Sequence, residues 1–244
     1  MNSQSSLPQR PELSRSPEVF RFSSFELLGS LVLFFVAAPF LEQLPGRDLI
    51  EAGLLSLVMV LGVLAVGGDR WTLAVALLLA MPTLVAKWAS HLHPEAIPPE
   101  PHLVASTIFF GYVITHLMRS IIRAPRVDER VICAGVSGYL MLGMMWIPAY
   151  ILVARLTAPS PAFQISSPSG TSEELDAFHA LYFSFITLTT VGYGDILPVS
   201  RVARMLASME AIAGVFYMAL LISRLVSVYS SSPVAVDSDR QRGT

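Results

Sequence analysis

Residues 176–195 read Asp-Ala-Phe-His-Ala-Leu-Tyr-Phe-Ser-Phe-Ile-Thr-Leu-Thr-Thr-Val-Gly-Tyr-Gly-Asp. The apolar part, 176–188, is long enough for a re-entrant half-helix but shorter than the roughly 20 residues needed to cross a bilayer. Behind it, Gly192 and Gly194 stand at alternate positions, where a backbone can take positive φ without a Cβ clash. Long apolar stretches flank this segment, 131–156 before it and 199–229 after it. Pro148 marks a kink in the first of them. A half-helix, a glycine-punctuated loop and two flanking spans make a unit with irregular backbone at membrane depth. Such backbone is tolerated only where protein buries it or where it lines a wet cavity.

Upstream lie four further apolar stretches, at 24–40, 49–66, 71–90 and 103–122. The count is therefore six spans plus one half-helix, an all-α membrane protein. Composition agrees: of 244 residues, 53% are hydrophobic and only 14% charged, with mean hydropathy +0.60. Soluble domains carry about 25% charged residues. A disordered chain, a nucleic-acid binder and an ordinary cytosolic enzyme are excluded, and the net charge of -2 suggests no polyanionic partner. A lone cysteine, Cys133, excludes an intrachain disulfide framework. No signal peptide is evident in the polar first 20 residues.

Basic residues set the orientation. With both termini cytoplasmic, 11 Lys and Arg lie inside and 5 outside, as the positive-inside rule requires. Arg201 and Arg204, at the outer start of the last span, can snorkel to the interface. A cell-membrane location with both ends inside is the expectation, and 15 arginines against one lysine suggest a bacterial source.

Thr190-Val191-Gly192-Tyr193-Gly194 resembles the selectivity-filter motif of the potassium-channel family, unbroken, and its half-helix and flanking spans resemble that family's pore unit over about 131–230. The resemblance implies that carbonyls of Thr190, Val191, Gly192 and Tyr193, with the Thr190 hydroxyl, replace the hydration shell of K+. One chain supplies one strand of such a ring, so four copies must surround the axis as a homotetramer. The implied layout is an N-terminal tail 1–23, a four-helix unit 24–123, a linker 124–130, a pore unit 131–229 and a tail 230–244. Within the pore unit come an outer helix 131–156, a turret 157–175, a pore helix 176–188, a filter 189–195 and an inner helix 199–229. The Pro/Ser/Gly cluster 158–171 reads as irregular loop.

Supporting residues follow from the same resemblance. Thr189 ends the pore helix, whose negative end favours a cation. Asp195 either forms a ring of carboxylates at the outer mouth or holds the filter by a hydrogen bond. Tyr182 and Phe183 occupy positions where many family members carry two tryptophans, and Tyr193 is expected to point into that aromatic layer. Ile186 stands where some members place a carboxylate. Gly214, 20 positions after Gly194, matches a hinge glycine, with close packing against the pore helix as the other reading. Ala219 and Ile222 are the candidates for cavity and gate lining. Glu210, one turn before Gly214, is expected to bond Ser184 or Thr187 rather than face lipid.

Arg119, Arg123, Arg126 and Arg130 recur at helical spacing but begin where the fourth apolar run ends, and Pro125, Asp128 and Glu129 interrupt them. They read as an interfacial linker, so strong voltage gating is not expected. His91, His93 and His102 fall in an outer loop and read as solvated, with pH sensing as the lesser reading. No cofactor, regulatory ligand or catalytic set is recognisable. The expected function is passive, K+-selective conduction by a non-enzyme. The alternatives are a potassium uptake transporter subunit, which would need a second half with interrupted helices, or a weakly selective cation channel.

Overall fold

The computed structural model describes residues 23–41, 46–66, 70–92, 100–124, 128–166 and 174–230. Seven helices and one small β-ribbon are present among them: α1 Ser23–Leu41, α2 Arg47–Val66, α3 Arg70–Leu92, α4 Glu100–Arg123, α5 Glu129–Leu156, β1 Phe163–Ile165, α6 Ala177–Leu188, β2 Ile196–Pro198 and α7 Arg201–Ser230. Five of them (α2, α3, α4, α5 and α7) are long and apolar enough to cross a membrane, and α1 contributes a shorter apolar run, Ser24–Phe40. The chain is a multi-pass, helical membrane protein.

Apolar surroundings demand that polar groups find partners within the fold. Several hydroxyls do so by bonding back one turn: Ser30 to Leu27 O at 2.8 Å, Ser56 to Ala52 O at 2.6 Å, Thr83 to Leu79 O at 3.0 Å and Ser106 to His102 O at 2.7 Å. Between helices, Trp88 Nε1 donates to Ser56 Oγ at 3.1 Å, and Tyr112 Oη donates to Thr72 O at 3.0 Å. Helices α1 and α4 pack against α5, α2 and α3 pack on them, and one apolar cluster that includes Leu31, Met59, Phe109, Phe110, Met141 and Met144 runs through the whole.

The α5 helix carries the connection to the C-terminal part. It starts at the N-cap Asp128, whose carboxylate accepts from Val131 N at 3.0 Å. Its glycines admit side chains from the helices that follow. A Cβ on Gly135 would lie 2.8 Å from Leu221 Cδ1, one on Gly138 would meet the Tyr217 hydroxyl, and one on Gly143 would meet the Phe185 ring. Tyr217 Oη in turn donates to Gly135 O at 2.8 Å. The lower end of α7 is tied to the end of α4: Arg224 donates to Ile121 O at 3.4 Å and to Ala124 O at 2.5 Å. A cation there meets the exposed carbonyls of a helix C-terminus.

Two boundaries differ from the sequence reading. Asp176 precedes the half-helix as its N-cap, accepting from His179 N at 2.7 Å. Val199 and Ser200 precede α7, their amides reaching Ala162 O, and Ser200 Oγ caps Ala203 N at 3.1 Å. The 158–171 loop is also not wholly irregular. Phe163 pairs with Pro198 and Ile165 with Ile196 in an antiparallel ribbon. Burial of Phe163 and Ile196 drives this pairing, and Pro198, lacking an N–H, sits at its end. The tails 1–22 and 231–244, and residues 125–127 and 167–173 of the expected linker and turret, lie outside the described residues.

Candidate functional site

Helix α6 lies between α5 and α7 and delivers residues 189–195 at its C-terminal end. Its closure is specific. The Ile186 carbonyl accepts from both Val191 N at 2.9 Å and Gly192 N at 3.1 Å, and Thr190 N donates to Thr187 O at 3.0 Å. The amides at the start of the segment are therefore spent on the helix end. Positive φ recurs at every second residue: Thr190 at 60°, Gly192 at 52° and Gly194 at 82°. Val191 and Tyr193 between them do not share it. Alternating the hand of the backbone cancels the pleat that would send successive carbonyls to opposite sides. Glycine takes this conformation freely, whereas Thr190 takes it at a cost typical of a functional strain site. Among the described residues, no hydrogen bond ends on a carbonyl of residues 190–194.

The segment is held from outside by Asp195. Tyr182 Oη donates to Asp195 Oδ2 at 2.6 Å, Asp195 Oδ1 accepts from Ile196 N at 3.1 Å, and the Asp195 carbonyl accepts from Ser166 N at 2.8 Å. This is the bonding reading of Asp195, and it joins the segment to both α6 and the β1–β2 ribbon. Phe183 packs inward. Its ring meets Tyr150 edge-on at 5.0 Å and Phe163 at 5.4 Å, and Tyr150 meets Phe163 at 5.5 Å. Tyr193 takes no part in that triad and is 72% exposed on the isolated chain. Thr189 bonds back to Phe185 O at 2.6 Å. Ile186 is buried in the same cluster as Phe183.

Behind the segment, Glu210 is fully buried. The Tyr150 hydroxyl donates to its Oε2, and Ser184 Oγ lies 2.5 Å from its Oε1. The Ser184 partner matches the expectation, and Thr187 is not used. Gly214 packs directly on the half-helix, where an added Cβ would lie 2.6 Å from Leu188 O. Ala219 and Ile222 lie on an exposed face of α7 with Val215, Phe216 and Met218. No reading of the sequence had singled out Tyr150, Phe163 or the α5 glycines. The only trace of them was small residues recurring in an apolar span, which commonly marks helix contact.

Of the linker arginines, Arg119 and Arg123 are exposed, Arg130 is half-buried, and Arg126 lies outside the described residues. His102 lines a cavity of about 350 Å³ together with Glu51, Lys87 and Asp176. Lys87 and Glu51 pair at 3.5 Å. The side chains of His91 and His93 are outside the described set.

Residues 140–231 match the family model described as "Ion channel". A two pore potassium channel b of Oryza sativa subsp. japonica is 40% identical over 78 residues, which is 30% of this chain and 22% of the relative. A two-pore potassium channel 1 of Arabidopsis thaliana is 37% identical over 81 residues, 33% of this chain and 21% of the relative. A human potassium voltage-gated channel subfamily A member 4 is 33% identical over 92 residues, 38% of this chain and 12% of the relative. The chain thus spans about a fifth or less of the length of these relatives. No solved structure matches.

Proposed function

We propose that this chain, whose residues 140–231 match the ion-channel family model and are similar to potassium channels, conducts K+ passively as a homotetramer. Residues 190–194 then supply the carbonyl rings of its selectivity filter. The observation that carries this reading is the alternating positive φ of Thr190, Gly192 and Gly194, combined with carbonyls that no donor within the described chain engages. Carbonyl oxygens replace the water that K+ sheds without offering the full charge that would trap it. K+ is the transported substrate, and the oxygens of Thr190, Val191, Gly192 and Tyr193 are its proposed ligands.

The fourfold assembly is supported by what one copy leaves uncovered. Val191 and Tyr193 are exposed, and so is an apolar face of α7 that includes Val202, Met205, Met209, Ile212 and Phe216. A neighbouring copy would cover Tyr193 and turn the loose aromatic into a brace. The C-terminal end of α6, near Leu188 and Thr189, carries a partial negative charge toward the axis. The Asp195 carboxylate is spent on the Tyr182 hydroxyl and the Ile196 amide, so its main part is to hold the outer end of the filter. α1 serves as the sixth span, and the protein lies in the cytoplasmic membrane with both termini inside. The exposed Arg119 and Arg123 at the end of α4 act at the lipid headgroups, and conduction is at most weakly voltage-dependent.

Bilayer recording of the purified protein under opposed K+ and Na+ gradients tests the reading, together with native mass measurement of the assembly. A reversal potential near the K+ equilibrium value and a tetrameric mass are expected. A reversal potential indifferent to exchanging the two ions, or a monomer or dimer, refutes it.

A further inference from the structure

The cluster around Glu210 contains one hydrogen too few if its carboxyl is ionised. Three close oxygen–oxygen contacts run through it: Tyr150 Oη to Glu210 Oε2, Ser184 Oγ to Glu210 Oε1 at 2.5 Å, and Ser184 Oγ to Gly143 O at 2.7 Å. Each contact needs one hydrogen. Tyr150 supplies the first. Ser184 has a single hydroxyl hydrogen, and the Gly143 carbonyl can only accept. With the Ser184 hydrogen directed to Gly143, the contact to Glu210 Oε1 lacks a donor unless Glu210 carries it.

Every group packed on the carboxyl points the same way. Helix α5 offers Tyr150 and, further off, the Tyr139 phenol, which bonds Leu188 O at 3.5 Å. Helix α6 offers Ser184. Among the described residues no Lys, Arg or His lies in ion-pair range of Glu210. A fully buried carboxylate without a cation is strongly disfavoured, whereas a neutral acid with both oxygens hydrogen-bonded is not.

We propose that Glu210 is held protonated and works, uncharged, as the bridge that positions α6 between α5 and α7. The chain of bonds runs Tyr150 O–H to Glu210 Oε2, Glu210 Oε1–H to Ser184 Oγ, and Ser184 O–H to Gly143 O. It ties one residue of α6 to both neighbouring helices four residues before Leu188, where the 189–195 segment begins. A neutral bridge fixes the position of that segment without placing four negative charges beneath it in the assembled pore. Glu210 is a positioning residue and touches no ion.

Infrared difference spectra between the wild-type protein and Glu210→Gln, reconstituted in lipid at neutral pH, read the proton directly. The wild type should show a carboxylic-acid C=O band, shifted in D₂O, that is lost in the variant, with no change in the antisymmetric carboxylate band. Loss of a carboxylate band instead overturns the proposal. The amide of Glu210→Gln offers one acceptor and one donor in the same arrangement. The variant should therefore keep tetramer stability and the K+/Na+ permeability ratio within about twofold, the scatter of substitutions that remove no interaction. Glu210→Ala and Ser184→Ala should lose both. A Gln variant as damaged as the Ala variant refutes the bridge. The spectrum does not depend on conduction, so a failure of the channel reading would leave this test standing.

Discussion

Gly214→Ala adds one methyl group where the structure leaves no room for it. The new Cβ would stand 2.6 Å from Leu188 O and 2.8 Å from Leu188 Cδ1. The leucine side chain can turn aside. The carbonyl cannot, because it belongs to the last turn of α6, and moving it displaces the residues that follow. Forcing a methyl into a packed contact costs about 1–3 kcal/mol. Alanine in place of a mid-helix glycine returns about 1 kcal/mol. The net expectation is a loss of between zero and about 2 kcal/mol per subunit, with its strain delivered to Thr189 and Thr190. Thermal dissociation of the proposed tetramer and the reversal potential under a K+/Na+ gradient are the assays. A lower dissociation midpoint together with weaker discrimination between the ions is expected. A pure hinge role predicts otherwise: stability and selectivity unchanged, open probability lowered, and Gly214→Pro biased open. If Gly214→Ala proves more stable than wild type and equally selective, the packing argument is wrong.

Tyr182→Phe removes the 2.6 Å bond to Asp195. A hydrogen bond to a charged group contributes about 1.5–3 kcal/mol, less where solvent reaches it, so faster loss of current during sustained opening is expected, and an unchanged time course would count against the Asp195 anchor. Gly143→Ala drives a methyl into the Phe185 ring and should cost about 1–3 kcal/mol of thermal stability, since the ring is wedged against α1 as well, with Phe35 at 4.6 Å. Calorimetry of the purified protein checks this, and a neutral result would show that the ring can move. Arg119→Gln with Arg123→Gln should leave the slope of conductance against voltage unchanged. A charge crossing the full field would contribute about 2.3 kcal/mol per 100 mV, so a flattened slope would reveal gating charge.

The motif at 190–194 was legible because its chemistry is local. Glycine at alternate positions is a statement about φ that needs no neighbour, and the structure adds only that Thr190 shares the conformation. The membrane class, the lengths of the long helices and the short half-helix were legible for a similar reason, since the bilayer acts on each apolar run separately. Glu210 was conspicuous as an acid in an apolar helix, and Ser184 was one of two candidate partners, Thr187 being the other; the fold decided between them.

Contacts between distant segments were not legible. Tyr150 reaches Glu210 across 60 positions, and nothing in a Pro-Ala-Tyr run in the outer helix signals that. The β1–β2 ribbon was hidden in a Pro/Ser/Gly stretch because three-residue strands have no periodicity to detect, and only the burial of Phe163 against Tyr150 and Phe183 determines where they pair. The α5 glycines read as generic small residues until Tyr217, Leu221 and Phe185 filled the spaces they leave. Sequence alone determined which backbone could offer a row of oxygens and which runs belong in lipid, because those properties reside in single residues and their immediate neighbours. Tertiary structure decided what holds that backbone in place, because a buried hydrogen bond or a packed ring depends on groups that only folding brings together.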